Sequence, residues 1–291
     1  MKLLVIGHSV KDIIKIKNNI IIRPGGIFYS ISTLVSLIDK NDEIYLNTSI
    51  EEKEYHLFES AYSRVKKDFF ESVDAIPKVN LMHLESLERE EIYENITDNL
   101  KLNVTDYDLF DGILINMITG FDITLEQIKH IRSNFNGTIF FDVHTMSRGL
   151  DENYKRLFRK IPNFGEWAKY IDILQLNQSE LMTVSDKEDE SEILEELFDY
   201  GVKIIIITKD KFGASLFSRK NSETISTFVS GNKVNEKNKV GCGDVFGAVF
   251  FYYYMKTENE IISLNNANNA AGFFVGCSGI DDLKMIKNHV L

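Results

Sequence analysis

The segment Lys239-Val240-Gly241-Cys242-Gly243-Asp244-Val245-Phe246-Gly247-Ala248 leads into an apolar run that continues to Met255. Glycines just ahead of a helix let several backbone N–H groups converge on one point, where the helix dipole adds positive potential. The product is an anion hole. Gly241-x-Gly243-x-x-x-Gly247 also has the outline of a dinucleotide-binding loop. The preceding Asn232–Lys239 is charged, however, and lacks a buried strand, and the loop lies near the C-terminal end rather than in a first βαβ unit. Asp244 bears on the choice. A carboxylate in a loop that only holds pyrophosphate repels its ligand; it belongs there if it takes a proton from a hydroxyl attacking a phosphoryl group held by those amides. A plain N-cap accounts for the same residue.

Away from this loop, short apolar runs alternate with segments of helical period. Leu3–Ile6, Ile44–Asn47, Ile113–Ile115, Thr138–Phe141, Ile171–Leu176 and Lys203–Thr208 read as strands. Phe28–Ile38, opened by Gly25-Gly26, reads as a helix, as do Leu125–Phe135 and an acidic stretch from about Glu51. Strands without polar alternation are buried on both faces, and helical crossovers between them make a parallel α/β sheet. Asp12–Arg23, which alternates around Asn18-Asn19, and Asn80–Val104 instead predict strands with one exposed face. These would form a small projecting β-sheet. The charge-dense Glu85–Glu94 and Asp186–Glu196 read as solvated faces.

Composition narrows the setting. The 291 residues are 44% hydrophobic and 26% charged, as in globular proteins, and long enough for a large core. Lys and Arg total 33 against 44 Asp and Glu, a net charge of −11 with no basic run, which disfavours a nucleic-acid partner. Only Cys242 and Cys277 are present, so no disulfide framework or CxxC metal signature exists, and a reducing cytoplasm is expected. Val245–Met255 is too short for a membrane span, and no signal-peptide core is evident. Walker A, HExxH and Gly-x-Ser-x-Gly patterns are absent.

Further candidates lie at predicted strand ends. Asn177 and Glu180 in Leu176-Asn177-Gln178-Ser179-Glu180 are oxygen donors on one side of a helical turn, suited to hydrated Mg²⁺ or to a capping box. Thr208 ends a buried strand before the turn Lys209-Asp210-Lys211-Phe212-Gly213. Asn116, Asp142 and His144 stand where an acceptor would be read, or where local turns need hydrogen bonds. Tyr29 would form a wall there.

Taken in order, Gly25-Gly26, Asn177/Glu180, Thr208 with Gly213, and Gly241-Cys242-Gly243-Asp244 resemble the ribokinase-like (PfkB) carbohydrate kinase family. Gly7-His8-Ser9-Val10-Lys11-Asp12 and Asn268-Asn269-Ala270-Ala271-Gly272 resemble family segments too. The resemblance spans nearly the whole chain. It implies a three-layer α/β fold with a central, mostly parallel sheet flanked by helices. Residues 1–291 would be one domain, with lid strands at approximately 12–23 and 80–104. It also implies ATP- and Mg²⁺-dependent phosphorylation of a hydroxyl on a small sugar or inositol-like polyol. Asp244 would be the general base, and the amides of Gly241, Cys242 and Gly243 the anion hole. Asn177 and Glu180 would organise Mg²⁺ through water, and Thr208, Gly213 and Asn268 would lie near the nucleotide. Asp12, Gly25 and Gly26 would face the acceptor, under a β-lid through which two copies pair in such kinases.

Departures from the family pattern carry information. Asn238 replaces the Asp associated with monovalent-cation activation, and Asp210 replaces the first glycine of the nucleotide turn. Ile27-Phe28-Tyr29-Ser30 stands where ribokinases proper carry ribose-binding asparagines, which argues against ribose. Cys242 replaces alanine; a helix N-terminus lowers a thiol pKa, and packing is the other reason for a cysteine there. Asp142-x-His144, Arg159-Lys160-Ile161-Pro162-Asn163 and Trp167 are similar to inositol-kinase-like members. A catalytically weak ligand-binding or regulatory protein, a nucleoside kinase and an NAD-dependent enzyme are the competing readings.

Overall fold

The structure is a computed structural model that describes residues 1–16, 19–82, 90–96, 98–221, 223–237 and 239–290. Strand β1 (Lys2–Ile6) leads into the hairpin β2 (Ser9–Ile16) and β3 (Asn19–Gly26). Helix Phe28–Leu37 returns the chain to β4 (Glu43–Ile50), and helix Tyr55–Tyr62 to β5 (Lys66–Ser72). Then follow β6 (Lys78–Met82), β7 (Glu90–Glu94), β8 (Gly112–Asn116) and β9 (Thr138–Asp142). A short hairpin, β10 (Arg148–Leu150) and β11 (Arg156–Phe158), precedes β12 (Ile173–Asn177) and β13 (Ile204–Thr208). Strands β14 (Gly213–Lys220) and β15 (Glu223–Ser230) are followed by helices Cys242–Thr257 and Glu260–Val275.

The main sheet has nine strands in the order β15-β14-β13-β12-β9-β8-β1-β4-β5. From β13 to β5 every neighbouring pair is parallel, whereas β13–β14 and β14–β15 are antiparallel. Period-two alternation divides the apolar residues between two helical layers. Leu3, Val5, Leu114 and Phe140 face a core shared with helices Phe28–Leu37, Cys242–Thr257 and Glu260–Val275. Leu4, Ile6, Ile113 and Ile139 face the other core, which helices Leu125–Asn134 and Glu190–Tyr200 cover. Because both faces are covered, these strands lack polar alternation, as expected of the three-layer arrangement. No helix among the described residues is long and apolar enough to cross a membrane.

The second sheet has the order β3-β2-β6-β7. Its edge strand β3 exposes Ile20, Ile21 and Ile22. The Asn80–Val104 expectation is corrected here: strand structure falls at Lys78–Met82 and Glu90–Glu94, and none is found among residues 98–104. That last stretch is tied to the main domain instead, by the Leu100 N–H donating to the Asp122 carbonyl at 2.8 Å. Asn19 already belongs to β3; Lys17, Asn18 and residues 85–89 lie outside the described residues. The acidic helix begins as a tight turn at Glu52–Glu54 before its α-helical part. Strands β5 and β15 were not expected. They are the two sheet edges, and their exposed polar residues hide the buried-strand signature.

Gly213 opens β14 at φ +111°, and a methyl group there would lie 1.9 Å from the Val229 carbonyl oxygen. Gly213→Ala is therefore expected to cost about 2 kcal/mol or more, read as a lower urea midpoint at unchanged slope. An unaltered midpoint would contradict this close approach.

Candidate functional site

Parallel pairing brings strand-end polar groups into a row. Asn116 of β8 is in register with Asp142 of β9, and Asp142 with Gln175 of β12. Asn177 is likewise aligned with Thr208 of β13. These are carboxyl ends of parallel strands, the edge at which open α/β sheets bind ligands.

Asp244 reaches this row from the opposite side. Its helix starts at Gly241, whose φ of +84° suits glycine, and a methyl group there would lie 2.3 Å from the Tyr29 ring. The close approach seats the helix end on Tyr29, which is 2% exposed and also packs edge-on against Phe274. Tyr29 thus lies beneath the glycine loop rather than as an open wall. Asn116 Nδ2 donates to Asp244 Oδ1 at 2.7 Å, and His144 Nε2 stands 3.9 Å from the same oxygen. First-turn N–H groups of a helix have no intrahelical acceptor and remain available for an anion. The Cys242 amide makes a long 3.5 Å contact to the Lys239 carbonyl. A methyl group on Gly243 would meet no protein atom within 4 Å, which leaves room for a ligand.

Gln175, not singled out from the sequence, joins the parts. Its Nε2 donates to Asp142 Oδ2 at 2.8 Å and to the Gly243 carbonyl at 3.1 Å. A methyl group on Gly247 would lie 2.9 Å from its Oε1. An amide placed two residues before Asn177 in an apolar strand was the available signal. Burial, then the Glu180 and Asp244 carboxylates, hold the Asp142 carboxyl well above its ordinary range. Burial raises Glu180 as well, against the opposing influence of His144 and Arg148.

Asn177 and Glu180 form a true capping box. Asn177 Oδ1 accepts from the Ser179 and Glu180 amides at 2.9 Å each, and Glu180 Oε2 accepts from the Asn177 amide at 2.8 Å. Among the described residues no group of three or more His, Cys, Asp or Glu could hold a metal directly. The donor set fits a hydrated cation carried by a ligand's phosphates, with carboxylates accepting from its waters.

Beside this edge lies a cleft of about 1200 Å³, lined in part by Asn177, Thr208, Gly213, Gly243 and Asn268. Asn268 Nδ2 donates to the Ser230 carbonyl at 3.0 Å. The cleft wall also carries Arg148, Lys209, Lys211, Lys233 and Lys239 against Asp210 and Glu236. Separate loops thus assemble a basic lining that no contiguous run in the sequence announces. Asp210 has φ +51°, the left-handed region that glycine would otherwise fill and that Asp tolerates. Lys239 Nζ lies 3.4 Å from its carboxylate, so the negative charge at this turn has a counter-ion. Asn238 lies outside the described residues. Burial pushes the Cys242 thiol up to about 12, with Asp244 adding to the effect. The lowered thiol pKa considered for a helix N-terminus is therefore corrected: desolvation and a neighbouring carboxylate outweigh the dipole.

On the acceptor side, Asp12 lies against Gly25, where a methyl group would be 2.3 Å from its Oδ1. Gly26, at φ +63°, allows the elbow from β3 into helix Phe28–Leu37 past the His8 carbonyl. A methyl on Gly7 would be 3.0 Å from the Asn116 carbonyl, so the segment after β1 abuts the residue that holds Asp244.

The site thus sets a carboxylate at a glycine-led helix start against the carboxyl edge of a parallel sheet. Residues 145–285 match the pfkB family carbohydrate kinase model. No curated protein matches the sequence. Solved structures match over nearly the full length. A pyrophosphate-dependent kinase in the ribokinase family, in a sulfate complex, is 17% identical at a TM-score of 0.78, with 98% of this chain and 99% of that one covered. Ribokinase from Thermotoga maritima is 19% identical at a TM-score of 0.76, covering 97% and 95%. Ribokinase from Arabidopsis thaliana, complexed with ribose and ATP, is 18% identical at a TM-score of 0.74, covering 99% and 97%. These structures share the ribokinase fold with the chain.

The raised Asp142 carboxyl makes a pH prediction. Folding favours its protonated form, so its ionisation erodes stability as pH rises from the ordinary carboxylate value of 3.8 through the raised folded value. Asp142→Asn removes that loss. The variant's thermal midpoint should gain on wild type as pH rises above the ordinary carboxylate value of 3.8; a difference that does not change with pH would refute it.

Proposed function

We propose that the chain transfers the γ-phosphoryl group of ATP, with Mg²⁺, to a hydroxyl of a small sugar or cyclic polyol. The observation that carries this reading is the Asp244 carboxylate, held at 2.7 Å by Asn116 at the start of a helix whose first residues, Cys242 and Gly243, line a basic cleft. The acceptor hydroxyl gives its proton to Asp244 as its oxygen forms the new bond to the γ-phosphorus, and the bond to the β–γ bridging oxygen breaks. Amides of Gly241, Cys242 and Gly243 take the charge on the transferring group, while Thr208, Gly213 and Asn268 line the donor side. Mg²⁺ would supply positive charge between the donor's phosphates. Asn177 and Glu180 would orient its waters. Asp12, Gly25, Gly26, Asn116, Asp142 and His144 would present the acceptor, with Tyr29 supporting the loop from beneath. The β-lid would exclude water, and its exposed Ile20, Ile21 and Ile22 would suit pairing of two copies in the cytoplasm.

One observation favours a second donor. Five cations line the cleft against two carboxylates, a density suited to a compact polyphosphate such as pyrophosphate. A structural neighbour is a pyrophosphate-dependent kinase complexed with a pyrophosphate analog and myo-inositol, 17% identical at a TM-score of 0.75. This also supports a cyclic polyol as acceptor. The test is phosphotransfer from ATP or pyrophosphate to a panel of sugars, inositols and nucleosides. Asp244→Asn should lower kcat by about 10²–10⁴-fold while the donor still binds. Full activity in that variant would overturn its role as base. Donor and acceptor binding without turnover in wild type would favour the regulatory reading.

A further inference from the structure

The β10–β11 hairpin lies in neither large sheet, yet it touches both halves of the site. Arg148 opens β10 and lines the donor cleft beside Asn177, Ser179 and Gly243. Its guanidinium lies over the ring of Phe158, the residue paired with it across the hairpin, at 4.6 Å from the ring centre. That stacking holds the planar group by its face at the cleft wall, and a guanidinium suits phosphate oxygens. The Arg148 charge is also felt at Glu180, which lies in the helical turn capped by Asn177.

Behind Arg148 stands Arg156, which is 7% exposed. One of its terminal nitrogens donates to the Arg148 carbonyl at 3.1 Å, and the other to the Thr119 carbonyl. Its guanidinium sits 4.1 Å from the centre of the Tyr93 ring, on lid strand β7. The hairpin is further bound to that strand by the Tyr93 N–H donating to the Tyr154 carbonyl at 3.2 Å and by an Ile92–Lys155 bridge. Thr119 in turn belongs to the loop in which Asp122 accepts from the His8 amide at 2.8 Å, immediately after β1. A single buried arginine therefore grips the lid, the acceptor-side loop and the backbone of the donor-side arginine.

We infer that Arg148 binds the phosphate chain of the donor and that Arg156 is the positioning residue that joins it to the lid. The inference rests on the kinase reading above and adds a residue pair to it. Arg148 touches the donor; Arg156 acts only through Arg148.

Calorimetric binding of pyrophosphate and of ATP to the full chain tests both parts. Arg148→Ala should weaken whichever polyphosphate wild type binds by about 10- to 100-fold, with the unfolding midpoint nearly unchanged because Arg148 is only partly buried. Arg148→Lys, which keeps the charge and loses the fork, should restore only part of the affinity. Arg156→Lys should weaken donor binding in the Arg148 background, yet add nothing further once Arg148 is alanine. Wild type that binds neither polyphosphate overturns the kinase reading together with this inference. Wild type that binds, with Arg148→Ala unchanged, overturns the inference alone. Independent, additive losses from the two substitutions overturn the positioning role of Arg156.

Discussion

The hydrogen bond from Asn116 to Asp244 joins positions 128 residues apart, and the surrounding architecture serves to make it. One partner sits at the end of a central strand, the other in the first turn of a helix on a different layer. The bond spans both only because Gly241 lets the helix end descend onto Tyr29. It does more than orient a carboxylate. It also presents an amide N–H, which can only donate, to a carboxylate that lies beside the buried Asp142 and Glu180. Gln175 extends the same principle, tying Asp142 to the backbone of the glycine loop, so that carboxylates which repel one another are fixed through neutral amides.

Electrostatics here is a matter of placement rather than total. The chain carries −11 overall, yet the cleft beside Gly243 has five cations against two carboxylates. The cations come from the β10 start, the Thr208–Gly213 turn and the segment before Gly241, stretches far apart in sequence. Lys239 shows the economy of this arrangement: it serves both as counter-ion to Asp210 and as part of the basic wall.

Much of this was legible beforehand, for reasons that follow from how each signal arises. Ile204–Thr208 and Gly112–Asn116 announce themselves because burial on both faces makes an unbroken apolar run. Asp244 and Gly241 are readable because φ, helix start and carboxylate all fall within one local motif. The β10–β11 hairpin was not legible: with a few residues per strand and charged ends, it has no period to detect. Neither was Gln175, whose meaning depends on Asp142 and Gly243, both distant in sequence. Asn177 and Glu180 illustrate a middle case. Their spacing is visible in the sequence and the capping box it allows is present, while any additional duty depends on a neighbour such as Arg148.

The distance between Asn116 and Asp244 also bears on how the protein comes into being. Strand β1 lies in the interior of the sheet between β8 and β4. Helix Phe28–Leu37 finds much of its apolar cover in helix Cys242–Thr257. During synthesis, the early segments must wait for more than two hundred residues before these surfaces are shielded (a separation of 128 for Asn116 and Asp244 alone). Such non-local pairing slows folding and prolongs exposure of sticky intermediates. The chemistry and the late burial of the N-terminal third thus arrive together, with the same helix.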